Sequence, residues 1–80
     1  MKNLITPRIE KIFRKRFLIN LGKPINRVNL VKDVQFNPME FLEMIFYVEN
    51  EFNIELQDND LKKIHTVGDL VQCVQKYSNH

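Results

Sequence analysis

The chain has 80 residues, of which 44% are hydrophobic and 28% are charged, and its net charge is +2. This length fits a single domain, 1–80, and the hydrophobic fraction excludes an intrinsically disordered chain. One cysteine excludes an internal disulfide and a cysteine-rich zinc site, and the N-terminus lacks the apolar run of a signal peptide or a membrane span, so we expect a cytoplasmic protein.

The small net charge conceals two halves of opposite sign. Residues 1–32 hold nine basic residues against one acid, and residues 33–80 hold nine acids against three lysines, so the two parts carry +8 and −6. This separation predicts two faces that could each steer a different partner. Pairing of the two faces between copies of the chain would instead cause self-association, and this alternative stays open.

The first predicted helix has Thr6 as its N-cap and Pro7 at its first position, and Gly22 is its predicted end. Four apolar residues recur at helical spacing and predict the buried stripe: Ile9, Ile12, Phe13 and Phe17. Basic residues fall largely on the other side: Arg8, Lys11, Arg14, Lys15 and Arg16. We interpret them as a solvated face, with a nucleic-acid or anionic-surface contact as the alternative.

Residues 22–36 form a long connection that is too hydrophobic for a free linker. Its apolar residues do not hold a helical period: Ile25, Val28, Leu30, Val31 and Val34. We therefore expect a loop that lies over the core and includes a short helical turn.

A second helix is predicted to begin at Asn37, with Pro38 at the first position and Glu40 completing a capping box. It runs to about Phe52, where Asn53 can supply a left-handed exit. The residues predicted to face the core are Phe41, Ile45, Val48 and Phe52. The polar side holds Glu40, Glu43, Tyr47, Asn50 and Glu51, flanked by Met39, Leu42 and Phe46.

Two further helices complete the prediction. A short one runs from Asp58 to Ile64, and the last begins at Thr66 with Asp69 three residues later, another capping-box pattern. We find no strand-like alternation and no internal repeat. The sequence therefore predicts an all-α bundle of four helices, one of them short, with a long loop after the first.

Catalytic and metal-binding groups are sparse, so we predict no catalytic residue, no metal site and no enzyme activity. The only serine is Ser78, near the C-terminus. Cys73 lies within an amphipathic helix and His65 precedes a helix cap, which favours a small packed side chain and a surface histidine over a nucleophile–base pair.

The segment from Asp33 to Asp69 resembles the acyl carrier proteins. "ENEFNIEL" and "KKIHTVGDLV" follow the family pattern of an acidic second helix ending Glu-Glu-x-Phe, then Ile-x-Ile, a short helix and Thr-Val-Gly-Asp. The first helix and the long loop also match in length and apolar spacing. The resemblance implies the four-helix carrier-protein bundle, in agreement with the elements predicted above.

The resemblance fails at the residue to which the family attaches phosphopantetheine. Asn37, Pro38 and Met39 stand where the family has Asp-Ser-Leu, and residues 33–52 contain no serine or threonine. We therefore predict no cofactor. Some of four bulky residues are further hypothesised to fill space that an acyl chain would use between the helices, with covering of the long loop as the alternative: Phe36, Phe41, Phe46 and Tyr47.

The resemblance also implies a partner-binding surface on the second helix, at Met39, Glu40, Leu42, Glu43 and Phe46. We predict a non-catalytic interaction or regulatory subunit that binds a ketosynthase, an acyltransferase or a similar enzyme of fatty-acid or polyketide biosynthesis. The alternative is a genuine carrier whose serine is replaced or whose modification site is unusual.

Overall fold

A computed structural model describes residues 4–78 of the chain. Four α-helices follow one another: α1 (Ile5–Phe17), α2 (Pro38–Phe52), α3 (Asp58–Leu61) and α4 (Val67–Ser78). A 3₁₀ turn, Ile25–Arg27, lies in the long loop after α1. Within residues 4–78 the only sheet-like pairing is one bridge between Asn29 and Thr66. The all-α prediction is confirmed.

The core lies where α1, α2 and α4 meet under the long loop. Its fully buried side chains come from all of these elements: Ile9, Phe13, Leu30, Met44, Val48, Val67, Leu70 and Val74. A chain of this size buries little surface, so its stability depends on close packing of these groups. Met44 was missing from the predicted core, whereas the predicted core residues Phe41 and Phe52 are only half-buried.

Both predicted ends of α1 are wrong. The helix begins with Leu4 as N-cap, so Thr6 and Pro7 lie inside its first turn, where the missing N–H of proline costs no hydrogen bond. It ends at Leu18, which takes a left-handed conformation with φ 57°, well before Gly22. The N–H groups of Leu18 and Ile19 both donate to the carbonyl of Phe13, which closes the last turn without a glycine.

Leu18 is unfavourable in this conformation, because a Cβ crowds the backbone when φ is positive. We expect Leu18→Gly to raise the free energy of unfolding by roughly 1 kcal/mol, since glycine adopts this conformation without strain. Urea denaturation would measure the change, with Leu18→Ala as the control that keeps the Cβ. The side chain of Leu18 is 88% exposed, so its loss removes no core packing. Equal stability of the glycine and alanine variants would contradict this account.

The long loop lies over the core, as predicted. It buries Ile25, Leu30 and Phe36, and the ring of Phe36 stacks on that of Phe13 at 5.7 Å. Two backbone hydrogen bonds hold it against the start of α4: Leu30 N donates to His65 O at 2.9 Å, and Val67 N to Val28 O at 3.0 Å. The loop therefore fixes the entry of α4 and covers the open side of the bundle.

Capping boxes define the starts of α2 and α4, as predicted. At α2, Glu40 N donates to Asn37 Oδ1 at 2.7 Å and Asn37 N donates to Glu40 Oε1 at 3.0 Å. At α4, Asp69 N donates to Thr66 Oγ1 and Thr66 N to Asp69 Oδ2. Asn53 ends α2 in the predicted left-handed conformation.

The short helix α3 is joined to α4 through the carboxylate of Asp60. It accepts hydrogen bonds from Gln57 N and from the hydroxyl of Tyr77, and Lys76 Nζ lies 3.5 Å away. The hydrogen bond from Tyr77, followed by that from Gln57, lowers the pKa of Asp60 below its usual value. α3 itself ends at Leu61, three residues earlier than predicted.

A lowered pKa in the folded state means that ionised Asp60 stabilises the protein above the unfolded-state pKa of about 4. That contribution is lost as the pH falls through the lower, folded-state pKa. We therefore expect Tyr77→Phe to be less stable than the wild type at pH 7, with the difference shrinking steadily below about pH 4. Urea denaturation across this range measures it. Tyr47→Phe is the control, because the Tyr47 hydroxyl makes no hydrogen bond within residues 4–78. If the stability difference between Tyr77→Phe and the wild type did not change with pH, the hydrogen bond from Tyr77 would not be what lowers the pKa of Asp60.

Candidate functional site

The predicted partner-binding residues lie together on one exposed side of α2. Met39, Leu42, Glu43 and Phe46 stand at positions i, i+3, i+4 and i+7, so they form one stripe along the helix. The side chains of Met39, Leu42 and Phe46 are 74%, 54% and 59% exposed. We call these four residues together with Glu40 the α2 face.

The opposite side of α2 explains why the α2 face points outward. Met44, Ile45 and Val48 are buried against the core, and they turn the stripe from Met39 to Phe46 toward solvent. Large apolar groups scattered singly on a surface are ordinary, whereas three of them in a continuous stripe are less common on a monomer. The α2 face is therefore both fixed in position and open.

The two acids of the α2 face have different surroundings. Glu40 is half-buried and engaged in the capping box with Asn37. Glu43 is exposed and makes no hydrogen bond or ion pair within residues 4–78. Farther along the helix, Glu49 accepts a hydrogen bond from Leu56 N and Glu51 pairs with Arg8. Glu43 is thus the acid of α2 that has no hydrogen-bond or ion-pair partner within residues 4–78.

An apolar groove of about 500 Å³ lies beside the start of α2. Its lining comes from the long loop, the start of α2 and the connection between α3 and α4: Val31, Phe36, Asn37, Pro38, Phe41, Leu42 and Ile64. Leu42 belongs both to this groove and to the α2 face, so the two apolar surfaces are continuous.

Of the four bulky residues, some of which were hypothesised to fill the interior, Phe46 lies on the surface. Phe36 is buried and packs on Phe13 and Phe17, while Phe41 and Tyr47 are half-buried. Tyr47 was also assigned to the polar side, but its ring meets Phe17 edge-on and lies under the guanidinium of Arg16. Whether Phe36, Phe41 and Tyr47 occupy the space of an acyl chain remains a prediction.

The candidate nucleophile Cys73 and the candidate base His65 make no hydrogen bond with each other within residues 4–78. Cys73 is half-buried and burial raises the pKa of its thiol, which disfavours the reactive thiolate. His65 is exposed, and its hydrogen bonds are made by its backbone. Its N–H donates to the carboxylate of Asp69, and its carbonyl accepts from Leu30 N. Within residues 4–78, no group of three or more His, Cys, Asp or Glu side chains could hold a metal ion.

The basic residues of α1 are not simply a solvated face. Arg8 pairs with Glu51 of α2 at 2.8 Å and donates a second hydrogen bond to the Glu51 carbonyl. Arg16 lies 4.9 Å from the ring centre of Tyr47. Sequence spacing gives no sign of either contact, because the partners are more than 30 residues apart.

No helix within residues 4–78 is long and apolar enough to cross a membrane.

Comparison with known proteins shows the family of the chain. It is 34% identical over 76 residues to an acyl carrier protein of Buchnera aphidicola from Acyrthosiphon pisum, with 95% of this chain and 94% of that protein covered. The chain belongs to the acyl carrier protein family. An acyl carrier protein of Lactobacillus johnsonii is 28% identical over 72 residues, covering 90% of each chain.

A solved structure agrees with this relationship. The acyl carrier protein from Enterococcus faecalis superposes with a TM-score of 0.76 at 27% identity, covering 92% of this chain and 94% of that one. No family model matches the sequence. The resemblance noted from "ENEFNIEL" and "KKIHTVGDLV" and the carrier-protein bundle are both confirmed, and the family is one of non-catalytic carriers that interact with biosynthetic enzymes.

Family membership overturns the prediction of no cofactor, because acyl carrier proteins carry a phosphopantetheine prosthetic group. The start of α2 does not offer the expected hydroxyl for its attachment. Pro38 is the first residue of the helix, and the side chain of Asn37 is engaged in capping. The serine and threonine hydroxyls of the chain are at Thr6, Thr66 and Ser78.

Proposed function

We propose that this acyl carrier protein homologue acts as an interaction or regulatory subunit, binding an enzyme of fatty-acid or polyketide-type biosynthesis through the α2 face. The observation that best supports this proposal is the exposed stripe of Met39, Leu42, Glu43 and Phe46. We also propose that Pro38 occupies the position of the attachment serine. The role as a binding subunit requires no group at that position, because docking depends on the α2 face alone.

The chemistry of the α2 face predicts the complementary surface on the enzyme. An apolar pocket would receive Phe46 and Leu42, because burying exposed apolar groups supplies most of the affinity in such contacts. A basic side chain would face Glu43 and accelerate the encounter. A ketosynthase or an acyltransferase with a basic rim around an apolar depression fits this description.

Binding of the purified chain to a purified ketosynthase from the same organism tests the proposal. We expect Glu43→Lys to reduce the association rate several-fold at low salt and much less at 1 M salt, where charges are screened. Glu55→Lys is the control, with the same change in net charge at an exposed residue outside the α2 face. Equal slowing by both variants would show that only net charge matters and would contradict docking on α2.

Family membership favours a second candidate, a working carrier anchored at a residue other than Pro38. Incubation with coenzyme A and a broad-specificity phosphopantetheinyl transferase, followed by peptide mass spectrometry, tests it directly. A mass increase on an identified residue supports this candidate, and an unchanged mass removes it. Either result is compatible with docking through the α2 face.

A further inference from the structure

A groove of about 380 Å³ lies between α1 and the C-terminal half of α2. Five of its lining residues come from α1 and one from α2: Arg8, Lys11, Ile12, Lys15, Arg16 and Glu51. We call it the basic groove, because four cations and a single carboxylate line it. The groove is distinct from the apolar groove beside Pro38 and shares no residue with it.

The positive charge of the basic groove is not neutralised by the protein. Its one carboxylate, Glu51, is paired with Arg8 at 2.8 Å. Lys11, Lys15 and Arg16 are exposed, and no carboxylate within residues 4–78 makes an ion pair with them. Three cations that converge on one depression without counter-charges create a positive potential that attracts an anionic group.

The two arginines of the groove are held in place by aromatic rings. The guanidinium of Arg8 lies 4.3 Å from the ring centre of Phe52, and that of Arg16 lies 4.9 Å from that of Tyr47. Stacking limits the motion of both long side chains, so Arg16, which has no carboxylate partner within residues 4–78, loses less conformational entropy when it binds an anion. Both rings belong to α2, which fixes the groove relative to that helix.

The basic groove adjoins the α2 face. The ring of Tyr47 contacts Phe46 edge-on at 5.9 Å on one side and Arg16 on the other. A partner that covers Phe46 would therefore lie close to Arg16, with only the ring of Tyr47 between these two side chains. Along this surface the charge changes sign, from Glu43 at the α2 face to Arg16 and Lys15 in the groove.

We infer that the basic groove is a second docking surface, which binds an acidic side-chain cluster on the enzyme that contacts the α2 face. This inference rests on the proposed function. Carboxylates suit the groove because arginine binds them with two parallel hydrogen bonds. A nucleic acid suits it less, because its phosphates continue along the strand and would also approach the free carboxylate of Glu43 on the adjoining α2 face. The enzyme must then present basic and acidic groups on opposite sides of an apolar depression, which restricts the enzymes that fit.

The double variant Lys11→Glu/Lys15→Glu tests this inference in the full chain. Against the purified ketosynthase at low salt we expect its affinity to fall about tenfold, with a smaller loss at high salt. Lys62→Glu/Lys63→Glu is the matched control, with the same change in net charge at two exposed lysines after α3, and it should stay within about twofold of the wild type.

Phe46→Ala separates failure of this inference from failure of the proposed function. If the Lys11/Lys15 variant binds like the wild type while Phe46→Ala binds weakly, the basic groove is not a docking surface and the α2 face still is. If both bind like the wild type, the proposed function fails. Tight binding of duplex DNA at physiological salt, abolished by the double variant, would overturn the inference in favour of a nucleic-acid surface.

Discussion

Phe46→Ala should weaken binding to the ketosynthase by at least tenfold, with little change in the stability of the free protein. The ring of Phe46 is 59% exposed and near the middle of the proposed interface, between Leu42 and Tyr47. Truncation of an aromatic anchor that becomes buried in a complex costs about 2 kcal/mol or more, which corresponds to more than tenfold in affinity. Calorimetric titration would give the affinity of each variant.

The control for this experiment is Leu18→Ala. Leu18 is 88% exposed, so its truncation removes an exposed apolar side chain that lies outside the α2 face and outside both grooves. Urea denaturation of both variants shows whether either one disturbs the fold. Equal losses of affinity for Phe46→Ala and Leu18→Ala, at unchanged stability, would contradict a specific role of the α2 face.

Gly68→Ala should destabilise the fold, although alanine is normally the better residue in a helix. A Cβ on Gly68 would lie 2.8 Å from the carbonyl oxygen of Asn26 and 3.2 Å from its Cβ. The clash is with backbone of the 3₁₀ turn, which the hydrogen bond from Val67 N to Val28 O holds against the start of α4. Overpacking of this kind costs about 1–3 kcal/mol, more than the gain in helix propensity.

Gly22→Ala is the matched control, because a Cβ there meets no atom within 4 Å and Gly22 has no positive φ. Urea denaturation should show that Gly22→Ala equals or slightly exceeds the wild type, while Gly68→Ala unfolds at lower urea. A Gly68→Ala protein as stable as the wild type would mean that the 3₁₀ turn is not held against α4.

The helices that could be predicted from sequence are those with strong local signals. α2 (Pro38–Phe52) is capped by Asn37 and Asn53 as predicted, because a capping box and an asparagine suited to the left-handed conformation are encoded in neighbouring residues. The predicted boundaries of α1 were wrong at both ends. Thr6 is a suitable N-cap and Gly22 a suitable C-terminal residue, but the helix uses neither. Leu18 adopts the left-handed conformation instead, which nothing in its residue type indicates.

Helical spacing predicts which residues of α2 share a side, but only the family resemblance implied that this side binds a partner, which remains a prediction. The basic groove could not be predicted, because Arg8 meets Glu51 and Arg16 meets Tyr47 only after α1 and α2 pack together. The absence of a cofactor was inferred from one position, Pro38, and family membership overturned it. The missing hydroxyl excludes attachment at position 38 only, and it does not exclude attachment of phosphopantetheine to another residue.

The most direct test of docking through α2 is an NMR titration of the ¹⁵N-labelled chain with the unlabelled ketosynthase. We predict that the amide signals of residues 39–46 change most, with a second group of changes at residues 8–16. Signals from the exposed end of α4, such as Ser78, should stay in place. Changes concentrated at α4, with residues 39–46 unaffected, would contradict the proposed role of the α2 face.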